Sequence, residues 1–290
     1  MKRIAAAALF APALLLISGL ARAVTDDLGR EIDPVGPGKR IVALAPFLAE
    51  AAALVVGRDL VGVSEHSDDP PRLRELPVVS GSAGIHWERL LALRPDLALA
   101  WKDALRPADL ERFRALGIPV FVAAGRRLAD VGRVYERLGE LTGRDAGREA
   151  RAAIERDIAS IRAGWARRDP IAVFVEIWHQ PLTTIAGEHY INDAIELCGA
   201  VNAFKDLRGV APQVSWEALY ARDPTLIVGA GSASDEAQFR KQWNGRPLAA
   251  VRGGALVFIP ADDIQRPSRR ILRELPRTCA AIHARADAAR

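Results

Sequence analysis

Short runs of β-branched and other apolar residues alternate with amphipathic stretches along most of this chain. Arg40-Ile41-Val42-Ala43-Leu44-Ala45 predicts a buried strand. Phe47 to Val56 predicts a helix that stops at Gly57. Leu60–Val63 predicts a second strand, closed by Asp69-Pro70-Pro71, and Val78-Val79 a short third one. Leu97–Ala100 and Val120–Val122 predict two more, with helices between them. Strands that alternate with helices indicate an α/β fold with parallel sheets.

A helical block then interrupts the strands. Leu128, Val131, Val134, Leu138 and Leu141 keep a helical spacing up to Gly143. Asp145 is placed to cap a second helix, on which Ile154, Ile158, Ile161 and Trp165 recur at steps of four, three and four before Asp169-Pro170. A charged, 25-residue-scale helix between two strand sets suits a stiff connector. The alternation restarts at Ile171–Val175 and continues through Leu226–Val228 and Leu256–Ile259. Ile271, Leu272, Leu275, Cys279 and Ile282 mark one face of a C-terminal helix, with Pro276 expected to kink it.

One segment occurs twice. Trp87-Glu88 opens a short helical stretch, Pro95 follows Glu88 by seven residues, and an apolar strand begins at once. Trp216-Glu217, Pro224 and Leu226–Val228 repeat this order. The copies lie on either side of the long helix, which predicts two similarly built lobes.

The N-terminus adds a destination. Lys2 and Arg3 precede an apolar run from Ile4 to Leu20 that ends at Ala21-Arg22-Ala23. This layout predicts a secretory leader over residues 1–23, cut after Ala23, and a periplasmic mature protein. Losing Lys2, Arg3 and Arg22, with no acid among these residues, lowers the formal net charge from +4 to +1. The basic balance of the full chain therefore gives no reason to expect nucleic acid as a partner. Two cysteines remain, Cys198 and Cys279. In an oxidising compartment such a pair bonds or stays as two buried thiols, and neither has a partner at metal-ligand spacing.

Two α/β lobes leave a crevice at the carboxyl ends of their strands, where ligands bind. The residues just after strands are the candidate contacts. These are His66 and Asp68, then Ser80-Gly81-Ser82 with Gly84 as a polar loop, Trp101, Trp178 with His179, and Asp262, Asp263, Gln265 and Arg266. Two Trp residues across a cleft suit a large flat ligand. Glu88 and Glu217 hold equivalent positions at two helix starts, where a carboxylate is favoured by itself. Presented by two lobes, they also suit pairing with arginines of a two-fold symmetric membrane partner.

These features together resemble the periplasmic binding proteins of ABC importers for cobalamin, iron-siderophores and haem, and most closely the cobalamin branch. The resemblance rests on Arg40–Pro46, Val61–Asp68 with Pro70-Pro71, Trp87–Asp96, Ala100-Trp101, Leu197-Cys198-Gly199 with Asn202–Phe204, Pro212–Glu217 and Arg266–Ser268. It implies two Rossmann-like lobes, residues 24–143 and 170–290, joined by one long helix over 144–169, with the ligand cleft between them. It also implies a Cys198–Cys279 disulfide, docking of a monomer on a permease dimer through Glu88 and Glu217, and ligand contact by Trp101, Asp262 and Arg266. Cobalamin or a related chelate is then cargo, and no cofactor is expected. The chain departs from that branch by placing His66, Ser82 and Ala211 where cleft aromatics are usual, which leaves Trp178, Trp87 or Trp216 to supply them. An imidazole at His66 suits a cobalt or iron centre in the cargo.

Two other readings stand beside this one. An iron-siderophore or haem would change the cargo and keep the role. An exported hydrolase would change the class, but the chain has no G-x-S-x-G elbow, P-loop or H-E-x-x-H, so no catalytic residue is assigned.

Overall fold

The structure is a computed structural model that describes residues 22–166 and 169–289. Residues 1–21 of the predicted leader lie outside the described residues. The chain enters through a short antiparallel pair, β1 (Val24–Thr25) and β2 (Glu31–Ile32). It then builds β3 (Ile41–Ala43), α1 (Pro46–Val55), β4 (Leu60–Ser64), β5 (Val78–Gly81), β6 (Gly84–Ile85), α2 (Trp87–Ala92), β7 (Leu97–Trp101), α3 (Pro107–Ala115) and β8 (Val120–Ala123). Two helices follow, α4 (Leu128–Thr142) and α5 (Ala146–Trp165). The second half contains β9 (Ile171–Glu176), α6 (Tyr190–Leu197), β10 (Ala200–Asn202), α7 (Trp216–Arg222), β11 (Leu226–Gly231), α8 (Glu236–Trp243), α9 (Ala249–Arg252), β12 (Leu256–Pro260), α10 (Ala261–Ile264) and α11 (Arg269–Ala288).

The strands form two separate sheets, as two lobes require. The first has the order β6-β5-β4-β3-β7-β8 and is parallel except for β6. The second has the order β10-β9-β11-β12 and is wholly parallel. In each sheet the chain first moves outward on one side of its first strand, then returns to the other side. The order thus reverses between β3 and β7 in one lobe and between β9 and β11 in the other. Crevices at such reversals, outside the carboxyl ends of the strands, are where α/β sheets bind ligands.

The repeated segment occupies the same place in both lobes. Trp87 starts α2 ahead of β7, and Trp216 starts α7 ahead of β11. The residues before the two prolines, Arg94 and Asp223, both take left-handed backbone, with φ of 46° and 35°. A proline disfavours right-handed helix in the residue before it, so each helix stops abruptly and hands the chain to a strand. Trp87 lies under the Arg112 guanidinium at 4.4 Å, and Trp216 under Arg246 at 4.1 Å, each Arg coming from the segment after the repeat's strand.

One apolar core runs through both lobes. It joins Ile41, Leu48, Leu97 and Phe121 of the first to Val173, Val228, Val257 and Ile195 of the second, with Leu138 of α4, Ile154 and Ile161 of α5 and Leu275 of α11 between them. The outer face of each sheet has a core of its own, around Phe113 in the first lobe and Trp243 in the second. Of the predicted stripe on α5, Ile154 and Ile161 are buried, and Ile158 and Trp165 pack partly buried against the same core. Asp145 does not cap α5. That residue is already helical, and its carboxylate pairs with Arg148. At the start of α4, Asp193 of α6 accepts two hydrogen bonds from Arg127, at 2.6 and 3.0 Å, and one from the Leu128 amide at 2.8 Å.

Cys198 and Cys279 form a disulfide that links the end of α6 to α11 across 81 residues. Closing a loop of that size in the unfolded chain stabilises the fold by about 4–5 kcal/mol in the chain-entropy model. Replacing both cysteines by Ala is expected to cost about 2–5 kcal/mol in urea unfolding, within the range for native disulfides. A second expectation concerns acid. His189 accepts a hydrogen bond from the Ile191 amide at 3.1 Å as the cap of α6, and burial lowers its pKa from 6.5 to about 4. Between those values the unfolded chain takes up a proton that the folded chain refuses, so stability is lost as pH falls through that window. His189→Asn keeps a capping acceptor, and its melting temperature should fall less steeply from pH about 6.5 to about 4 than that of the native chain.

Candidate functional site

Each topological reversal opens into a hollow. In the first lobe a space of about 340 Å³ is bounded by Leu44 after β3, Ser80–Ile85, and Ala100-Trp101 at the end of β7. The Ser80–Gly84 segment is a tight hairpin, since β5 extends through Gly81 and turns back as β6. The Glu65 carboxylate lies against Gly81, in the space a Cβ would take, and its Oε2 accepts a hydrogen bond from the Ser82 amide at 3.2 Å. Trp101 is set in place by its indole N–H, which donates to the Ala124 carbonyl at 3.1 Å, and by an edge contact to Phe47. Arg106 also lines this hollow and is held by Asp109 through two hydrogen bonds of 2.7 and 2.9 Å.

The second lobe has the matching hollow, about 500 Å³, between Glu176 and Trp178 after β9, Gly229-Ala230 of β11, and helix α8. Trp178 is 64% exposed there, the most exposed large apolar side chain among the described residues. Its indole N–H donates to the Gln180 carbonyl at 2.8 Å, and its backbone pairs with Thr183. Behind it, His179 is wedged edge-on between Trp216 and Trp243, and its Nδ1 lies 3.5 Å from the Glu176 carboxylate. Trp243 donates its indole N–H to Glu176 at 2.5 Å. Burial raises the Glu176 pKa against the pull of His179 and Trp243.

Between the lobes lies a knot of charge. Arg266 follows the short helix α10 and is 15% exposed. It binds Asp68 of the first lobe at 2.9 Å and Asp262 of the second at 3.0 Å, with Glu50 of α1 at 3.5 Å. Arg270 reaches the same two aspartates at 3.7 and 3.6 Å. Burial raises Asp68, but the hydrogen bond and charge of Arg266, with Arg270 and Arg74, outweigh it and hold the carboxyl below its ordinary value. For Glu50 burial wins over Ser268 and Arg266, and its pKa is raised.

The structure thus brings Ser82 and Trp101 to one hollow and Trp178 to the other, while Arg266 and Asp262 belong to the charge knot between the lobes. His66 stands apart. It is exposed on the turn after β4 with a left-handed φ of 62° and lines neither hollow. Of the other tryptophans considered as cleft aromatics, Trp87 packs on Phe113 and Trp216 on His179, Tyr220 and Trp243 within the lobe walls. Sequence reasoning missed Glu50, Glu176 and Arg270. Glu50 had a signal, a lone acid in the otherwise apolar helix Pro46–Val55, and Arg270 lies four residues after Arg266, the arginine already singled out. Glu176 ends an apolar strand and its environment comes from Trp243, far along the chain.

Glu88 and Glu217 are exposed in the first turns of α2 and α7. Helix α7 joins the parallel strands β10 and β11 and so runs against them, which puts its start on the carboxyl-edge side of the second sheet, whereas α2 follows the antiparallel strand β6. A hydrogen bond from its own backbone amide and one from Ser215 hold the Glu217 carboxyl below its ordinary value.

Comparison with known proteins agrees with this architecture. The family model described as periplasmic binding protein matches residues 41–262. The vitamin B12-binding protein of Vibrio cholerae serotype O1 is 31% identical over 84% of this chain and 88% of its own length. That of Yersinia pestis is 31% identical over 85% and 87%. The crystal structure of the periplasmic vitamin B12 binding protein BtuF of Vibrio cholerae superposes with a TM-score of 0.73 at 29% identity, covering 86% of this chain and 98% of that one. The haem-binding protein RhuT from Roseiflexus sp. RS-1 shares the fold, with a TM-score of 0.72 at 22% identity over 86% of this chain and 99% of its own. The two-lobed α/β fold, the paired hollows and these likenesses lead to one conclusion: the chain belongs to the periplasmic binding protein family.

Proposed function

We propose that this protein captures cobalamin or a related corrinoid in the cleft between its lobes and delivers it to an ABC-type importer in the inner membrane. The observation that carries the reading is the pair of hollows at the two topological reversals, each with a tryptophan at its wall, Trp101 in one lobe and Trp178 in the other. A flat macrocycle fits between such walls, because aromatic faces cover a large apolar area with little loss of side-chain freedom. The names of the vitamin B12-binding relatives support corrinoid as the cargo.

In this reading Ser82, Trp101 and Trp178 contact the ligand directly. Asp262 and Arg266 of the charge knot between the lobes, and His66 of the turn after β4, also contact it. Glu88 and Glu217 each pair with an Arg on one half of a permease dimer. The protein acts as a monomer and transforms nothing. It reaches the periplasm by a leader cut after Ala23, and its working parts are a first lobe to residue 143, a connector over 144–169 and a second lobe from 170 onward.

A thermal-shift series on the mature protein tests the cargo. Cyanocobalamin at about a hundred times its dissociation constant should stabilise the fold by about 2.7 kcal/mol. Stabilisation by haem or a ferric siderophore, with none by cyanocobalamin or cobinamide, contradicts the corrinoid reading. Docking is tested separately. Glu88→Arg and Glu217→Arg should leave ligand affinity within about twofold while abolishing corrinoid uptake through the importer, since a reversed charge opposes the partner's arginines. Uptake at the native rate in both variants would remove these residues from the interface.

A further inference from the structure

The two hollows differ in polarity, and the difference points to which ligand rim each accepts. The polar side chains of the second-lobe hollow are Glu176, Asp235, Gln180, Gln238 and Gln242, with His179 at its back. Among the described residues that line it there is no Lys or Arg. Both carboxylates are held in position. Glu176 accepts from Trp243, and Asp235 accepts from the Ser232 amide at 2.8 Å and its hydroxyl at 2.6 Å. The side-chain amides of Gln238 and Gln242, one turn apart on α8, make no hydrogen bond to other described residues. Arg106, which lines the other hollow, is already engaged by Asp109.

A carboxylate only accepts hydrogen bonds, whereas a side-chain amide both donates and accepts. Two fixed carboxylates and a row of free amides therefore satisfy a neutral group that carries N–H donors. They repel an anion, which would enter without a cation to pair it. We propose that the second-lobe hollow selects a ligand edge bearing neutral carboxamides and rejects one bearing carboxylates, with Glu176, Asp235, Gln238 and Gln242 as the selecting groups. The inference rests on the cleft being the ligand site. It deepens that reading by giving the cleft a means of telling a corrinoid, whose rim carries primary carboxamides, from haem, whose rim carries two carboxylates. Rejection here acts by leaving a charge desolvated and unpaired, which discriminates more strongly than a lost contact.

The test uses calorimetric titration of the mature protein near neutral pH with cyanocobalamin and with its monocarboxylic acids, in which one carboxamide has been hydrolysed. At least one monoacid is expected to bind about tenfold or more weakly than the parent. In Asp235→Asn and Glu176→Gln that gap should narrow by about threefold or more in at least one variant, with cyanocobalamin still bound. Glu176→Gln keeps an acceptor for Trp243, and circular dichroism and melting temperature check that both variants fold. Native affinity for every monoacid within about threefold of the parent, or a gap unchanged in both variants, overturns the inference and leaves the corrinoid reading intact. Tight binding of haem with no binding of any corrinoid overturns both together.

Discussion

Everything the cleft does depends on the apolar core that the two lobes hold in common. Helices α1, α4, α5, α6 and α11 contribute to one continuous buried cluster that reaches both sheets. Pulling the lobes apart would expose this surface, at a cost of about 25 cal/mol for each Å² uncovered. The two topological reversals are therefore held in register by the same burial that folds the chain. Lobes joined only by a flexible strand pair would have to find that geometry anew for each ligand, and would lose affinity to the ordering cost. The disulfide between the end of α6 and α11 ties two of these shared helices together within the second lobe.

Electrostatics add a second tie, of a different kind. Arg266 and Arg270 are shared between Asp68 of the first lobe and Asp262 of the second. Charges in such a half-buried cluster are costly to separate, because each partner left behind would be unpaired and poorly hydrated. The Arg127–Asp193 pair at the start of α4 makes a further interlobe tie of good geometry.

Much of the fold was legible because it rests on local rules. The strands at Ile41, Leu60, Leu97, Ile171, Leu226 and Leu256 announced themselves as apolar runs, and the repeat around Glu88 and Glu217 revealed that there are two lobes. That repeat extends to backbone detail, since Arg94 and Asp223 are left-handed at matching positions. Resemblance to a known family anticipated the Cys198–Cys279 bond, which residue pattern alone left open. The Ser80–Gly84 hairpin escaped because its small residues carry no periodicity, and Glu65, which packs against Gly81, comes from an earlier turn. The environment of Glu176 escaped for the same reason at longer range: Trp243 and His179 create it, and no local pattern links position 176 to 243. Asp145 misled because a capping residue type is necessary for a cap and not sufficient, and an arginine three residues on offered its carboxylate a competing partner.

Binding in the cleft, as proposed, requires one ligand to engage both reversals at once. Hydrogen–deuterium exchange on the mature protein, with and without saturating cyanocobalamin, addresses it directly. Slowed exchange is expected in both Gly81–Ile85 and Trp178–Thr183 on binding, with the buried face of α5 unchanged. Slowing confined to one of those two segments, or found only on surfaces away from them, would contradict it.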